Sequence, residues 1–190
     1  MGLLLSSLLV TPPSKSTDEA RLLILGLPSA GKTTILYQFK FNELVATIPT
    51  DTGINAQTIQ YKDKTFSMWD IGGRINYGSL LSSFGKTDAI ILVVDSANIQ
   101  EFKFVKEELD RYLATKQLDG VPFLILANKQ DLHEAVDVSD LAKALGIASR
   151  TDVDFFIHPC SAVTGEGLYQ GLDWIYSTLH RVQQDSMTRE

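Results

Sequence analysis

Apolar residues in this chain fall into two kinds of run, and the two kinds alternate. Short runs of strand character occupy 21–26, 54–61, 65–70, 89–95, 121–127 and 154–160. Ala89-Ile90-Ile91-Leu92-Val93-Val94 and Val121-Pro122-Phe123-Leu124-Ile125-Leu126 are continuously apolar, which suits strands covered on both faces of a parallel sheet. Segments between them carry helical spacing. Ile35, Leu36 and Phe39 keep it after the first strand. So do Ile99, Phe102, Val105, Leu109 and Tyr112/Leu113 over 99–113, and Leu168, Leu172, Ile175 and Leu179 over 167–181. Over 138–145 the flanks add to the pattern, Asp137 as an N-cap and Gly146 as a stop. Asp63-Lys64, between two shorter runs, predicts a hairpin turn and one antiparallel edge strand. The sum is an α/β fold: a doubly wound, mostly parallel six-stranded sheet that would bind a ligand at the carboxyl ends of its strands.

Length and charge narrow the class. The chain has 190 residues, which suits one domain, here 20–181. Thr11-Pro12-Pro13-Ser14-Lys15-Ser16 is a linker, so 1–19 stands apart, and 182–190 reads as a tail. The balance of 17 Lys+Arg against 23 Asp+Glu gives a net charge of −6, which argues against a nucleic-acid partner. The single cysteine, Cys160, permits no intramolecular disulfide and fits a reducing compartment. No base can be assigned to it, so it reads as a small buried residue and not as a nucleophile. No stretch approaches the ~20 apolar residues of a membrane span.

The candidate chemistry starts at Gly26-Leu27-Pro28-Ser29-Ala30-Gly31-Lys32-Thr33, a G-x-x-x-x-G-K-[ST] match between a strand and a helix. That context is what a phosphate-binding loop needs. Backbone N–H groups from Ser29 to Lys32 can turn inward around phosphate oxygens, helped by the helix N-terminus, with Pro28 and Thr34 bordering the site. Lys32 would reach the β- and γ-phosphates, and the Thr33 hydroxyl would bind Mg²⁺. Asn128-Lys129-Gln130-Asp131 then selects the base. The Asp131 carboxylate can accept from the N1–H and N2–H₂ donors of guanine. Against adenine the buried carboxylate would be left unpaired. Lys129 can lay its stem along the base, and Asn128 can tie this loop to the phosphate loop. In Cys160-Ser161-Ala162 a backbone N–H, that of Ala162, could meet guanine O6. This pattern argues against a P-loop kinase.

Two loops can respond to a γ-phosphate. Trp69-Asp70-Ile71-Gly72-Gly73 follows a strand; Asp70 could hold Mg²⁺ through water and the Gly73 N–H could contact the γ-phosphate. In Thr47-Ile48-Pro49-Thr50-Asp51-Thr52-Gly53 a threonine hydroxyl could complete the Mg²⁺ shell. With Thr34-Ile35-Leu36-Tyr37 and Gly167-Leu168-Tyr169-Gln170-Gly171-Leu172-Asp173-Trp174, these segments resemble the ADP-ribosylation factor-like (Arf/Arl) small GTPases over about 20–180. The resemblance implies a small G domain with GTP or GDP and Mg²⁺ as ligands, and a switch that recruits effectors at membranes in trafficking. It implies an exchange factor, a GTPase-activating protein and effectors that meet the switch loops and the hairpin 54–70. It further implies that this hairpin slides in register when GTP binds, and that the protein is a cytoplasmic monomer, reversibly attached to Golgi or other endomembranes.

Three departures from that family pattern bear on mechanism. Arg74 stands where the family carries the Gln that orients the attacking water. Arg has five donors and no acceptor, so the catalytic pair Gly73 and Arg74 should support only very slow intrinsic hydrolysis. The rival is Arg74 as an internal arginine finger. The first switch loop has one extra residue: counting from Lys32 makes Thr50 the Mg²⁺ ligand, while counting back from Gly53 leaves Thr52 nearby. Asp51 adds a negative charge there, and Ile54 replaces an effector-facing Phe. Pro28 stands where relatives often carry Asp and has no N–H to offer. The chain is also about one residue short near 74–84. A nucleotide-bound scaffold fixed in one state is the alternative these departures favour.

The amino terminus, Met1-Gly2-Leu3-Leu4-Leu5-Ser6, fits M-G-x-x-x-[ST], which makes Gly2 a candidate for myristoylation. One myristoyl chain anchors weakly, with K about 10⁴ M⁻¹. Leu4, Leu5, Leu8 and Leu9 could supply the second membrane signal. No Lys or Arg precedes Lys15, so attraction to anionic lipid should be weak.

Overall fold

The continuous apolar runs become the centre of a six-stranded sheet. The computed structural model describes residues 19–41, 54–71 and 86–187. The strands are β1 (Glu19–Leu25), β2 (Ile54–Tyr61), β3 (Lys64–Ile71), β4 (Ala89–Asp95), β5 (Phe123–Asn128) and β6 (Phe155–Pro159), and the helices are α1 (Lys32–Phe41), α2 (Phe102–Leu113), α3 (Val138–Leu145) and α4 (Leu168–Met187). Strand order is β2-β3-β1-β4-β5-β6. Every pairing is parallel except β2 with β3. The order reverses at β1, so the loop after β1 lies at the topological switch point, where open α/β sheets bind ligands.

Alternate residues of each central strand feed two cores. Leu22, Ile24, Ile91, Val93, Leu124 and Leu126 pack under α1 and α4, against Ile35, Leu36, Leu172 and Ile175. Leu23, Leu25, Ile90, Leu92, Phe123 and Ile125 pack under α2 and α3, against Val105, Leu109, Leu141 and Leu145. Both faces are covered, which is why these strands show no polar alternation. The Asp137 side chain caps α3 by accepting from the Asp140 N–H, and Gly146 closes it in a left-handed conformation at φ 70°.

Several boundaries differ from the sequence expectation. The hairpin turn is Lys62-Asp63, with Lys64 already in β3 paired to Tyr61; Lys62 takes the positive φ, 56°. The α-helix of 99–113 starts at Phe102, after a 3₁₀ turn at Ile99–Glu101. Ile99 is therefore not in the buried stripe but 60% exposed. The last helix runs on to Met187, through most of the segment read as a tail. The hairpin turn is fastened to that helix: Lys62 pairs with Asp173, Tyr61 donates to Asp173 at 2.9 Å and Tyr176 donates to Asp63 at 2.6 Å. Among the described residues, no helix is long and apolar enough to cross a membrane.

Candidate functional site

The carboxyl ends of β1, β3, β4, β5 and β6 share one edge of the sheet, and the loops that leave them carry the site. After β1 the chain turns through Gly26 (φ 140°), Ser29 (φ 63°) and Gly31 (φ 102°). Such alternation of hand along a loop can turn N–H groups inward, although the Ala30 N–H donates to the Leu27 carbonyl at 3.3 Å. Gly26 is required sterically, since a Cβ there would sit 2.2 Å from the Val93 carbonyl oxygen. Pro28 and Ser29 are exposed, Ala30 is buried, and Thr34 is half-buried in the first turn of α1.

Lys32 is 7% exposed. Its ammonium donates to the Leu27 carbonyl at 3.0 Å. Burial pulls its pKa down, partly offset by the charge of Asp70. Thr33 donates its hydroxyl to Asp70 Oδ2 at 2.5 Å. Burial pushes the Asp70 carboxyl up, against the opposing effects of Thr33 and Lys32. Asp70 Oδ1 is buried with no hydrogen-bond partner. A hydroxyl and a carboxylate side by side, with one carboxylate oxygen unsatisfied, fit a hard cation or its bound water.

The second half of the site rests on Asn128, which is 1% exposed. Its Nδ2 donates to the Ala30 carbonyl at 2.7 Å, and its Oδ1 accepts from the Ala162 N–H at 2.8 Å. One amide thus joins the loop after β1, the loop after β5 and the loop after β6. Lys129 sits at φ 70°, and its ammonium pairs with Asp95 Oδ2 at 2.6 Å. Ser161 donates its hydroxyl to Asp131 Oδ1 at 2.6 Å and accepts from the Val163 and Thr164 N–H groups, both at 3.2 Å.

Two expectations change here. Asp131 is exposed, not buried, so its penalty against adenine arises only once a base covers it. The Ala162 N–H, expected to face guanine O6, is held by Asn128. The N–H groups of Ser161, Val163 and Thr164 are engaged too, so contact with O6 would need a shared donor. Cys160 is 2% exposed. Burial, aided by the charge of Asp131, pushes its thiol up to about 12.

Gly2, Thr50, Asp51, Thr52, Gly73 and Arg74 lie outside the described residues. Three contributors hold no defined motif position, Gln130 being the variable residue of its motif. Asp95 is the β4 residue in register with Asn128; a carboxylate ending a buried strand beside the base loop was the available signal. Gln130 holds the loop by donating to the Val136 carbonyl at 3.1 Å. Gln38 on α1 donates to the Ala162 carbonyl at 3.0 Å.

The model of the ADP-ribosylation factor family matches residues 6–179. ADP-ribosylation factor K of Dictyostelium discoideum is 39% identical over 163 residues, covering 85% of this chain and 86% of the relative. ADP-ribosylation factor J of the same organism is 38% identical over the same shares. Among solved structures, that of the Arl6 BBS3 small GTPase from Trypanosoma brucei with bound nucleotide analogue GppNp is similar at a TM-score of 0.75 and 29% identity. It covers 86% of this chain and 98% of that one.

Proposed function

We infer the function of this chain from its family: it belongs to the ADP-ribosylation factor family, the GTP-binding switches among the small GTPases. Within that class, our reading is a switch that holds GTP for long periods and engages effectors at a membrane. The observation that carries nucleotide binding is the double tie of Asn128 to Ala30 and Ala162. It brings a phosphate-type loop and a guanine-type loop to the switch point of one sheet.

The roles follow residue by residue. Ser29, Ala30, Gly31 and Lys32 cradle the phosphates, Pro28 and Thr34 border them, and the helix N-terminus adds positive potential. Thr33 and Asp70, with Thr50, would hold Mg²⁺, Asp70 through water; Mg²⁺ when bound neutralises charge on the β- and γ-oxygens. Asp131 and Lys129 bind guanine, with Ser161 orienting Asp131. The Gly73 N–H would sense the γ-phosphate, while Arg74 cannot accept a hydrogen bond from the attacking water and leaves hydrolysis slow. Gly2 and the leucines that follow would attach the chain to membrane. Exchange factors, activating proteins and effectors would meet the switch loops and the β2–β3 hairpin.

Equilibrium binding of GDP, GTP and ATP with and without Mg²⁺ tests this. Tight binding of both guanine nucleotides, with exchange between them, is the expected result. Binding of only one favours the second reading, a scaffold fixed in one state, to which Asp51 and Arg74 lend support. Preference for ATP would remove both.

A further inference from the structure

The Asp95–Lys129 pair has no counterpart in the roles assigned above. Lys129 has the longest flexible side chain in the base loop, yet everything around its backbone is pinned. The Ser96 N–H donates to the Asn128 carbonyl at 3.0 Å, the Val136 N–H to the Ser96 carbonyl at 3.0 Å, and the Gln130 N–H to the Cys160 carbonyl at 3.1 Å. The backbone of Lys129 itself is left-handed, a conformation that a residue other than glycine keeps only when its surroundings impose it. What remains free is the four-carbon stem, which would sample many rotamers in water.

Asp95 removes that freedom. Its Oδ1 accepts from the Ala97 N–H at 3.0 Å, which fixes the carboxylate in the turn after β4. Its Oδ2 takes the Lys129 ammonium at 2.6 Å. The two side chains are 14% and 30% exposed, shielded enough for the pair to outweigh a solvated surface pair. The stem is thus drawn from the base loop towards the end of the adjacent strand by a bond made within the chain itself. Preorganisation of this kind lowers the ordering cost of binding.

We propose that Asp95 is a positioning residue for nucleobase binding: it holds Lys129 extended so that its methylenes form one wall of the base site. The proposal rests on the reading of this site as one for guanine nucleotide. Asp95→Asn isolates the role, because an amide oxygen can still accept from the Ala97 N–H while the charge facing Lys129 is gone. The experiment follows release of a fluorescent GDP from the full chain, chased by unlabelled GDP, for wild type, Asp95→Asn, Lys129→Gln and the double variant. Thermal melting of each is the folding control.

Asp95→Asn should speed release about tenfold, the loss of roughly one charge-assisted hydrogen bond, with its melting temperature close to wild type. In the Lys129→Gln background the same change should add less than twofold, since Asp95 then has no ammonium to place. Wild-type release from Asp95→Asn, or equal tenfold effects in both backgrounds, would overturn the proposal. Failure of the wild type to hold GDP at all would overturn the nucleotide reading and this inference with it.

Discussion

Gly31 is the position where a side chain would strike the tie between the two loops of the site. Its φ is 102°, and a Cβ there would lie 2.3 Å from Asn128 Nδ2, the atom that ties the phosphate loop to the base loop. Gly31→Ala would meet both backbone strain and a clash with that tie. We expect GDP affinity to fall by at least about 100-fold, roughly 3 kcal/mol, measured by fluorescent GDP titration. Cys160 makes a second residue-scale prediction. Its thiol is pushed up from 9.0 to about 12, so the neutral form is the favoured one. Its contribution to stability is complete below the unfolded pKa, near 9, and is lost as pH rises through about 12. At pH 8 a thiol reagent such as dithionitrobenzoate should therefore react only as fast as the protein opens, and rapidly in denaturant. Fast stoichiometric reaction of the native protein would contradict the burial. Local sequence showed neither the partner of Asp131 nor the engagement of the Ala162 N–H. Both depend on Ser161 and Asn128, about thirty residues away along the chain.

At the scale of elements, the join between β6 and α4 is the tightest. Gly167 has φ 77°, and a Cβ there would lie 2.1 Å from the Pro159 carbonyl oxygen. Gly167→Ala should cost roughly 2–3 kcal/mol, read as a lower midpoint in urea unfolding with an unchanged slope. An unchanged midpoint would mean that the loop after β6 can move aside. Elements buried on two faces were legible in the sequence because burial leaves unbroken apolar runs, as in Ala89–Val94. Helix α3 was legible because Asp137 and Gly146 mark its ends. The start of α2 was not: Ile99 keeps the helical spacing, but the chain there is a 3₁₀ turn and the side chain faces water. The hairpin turn was displaced by one residue because Lys62, which takes the positive φ, carries no turn signal while its neighbour Asp63 does. The fastening of that hairpin to α4 had no local trace, since Lys62 and Asp173 meet across 111 residues.

For the whole molecule, the sheet order places every candidate nucleotide contact among the described residues at one edge, around the switch point at β1. The family supplies the class; the long-lived GTP state is our proposal, from reading Arg74 at the place of a water-orienting Gln. One measurement tests the resulting account of a long-lived GTP state most directly, single-turnover hydrolysis by the GTP-loaded chain beside its Arg74→Gln variant. We predict wild-type hydrolysis slower than about 10⁻⁴ s⁻¹, below the intrinsic rate of Gln-bearing small GTPases. The variant should be at least about tenfold faster, because the amide restores both an acceptor and a donor for the attacking water. Hydrolysis by the wild type at the Gln-bearing rate, or a variant slower than the wild type, would contradict it and make Arg74 a catalytic arginine.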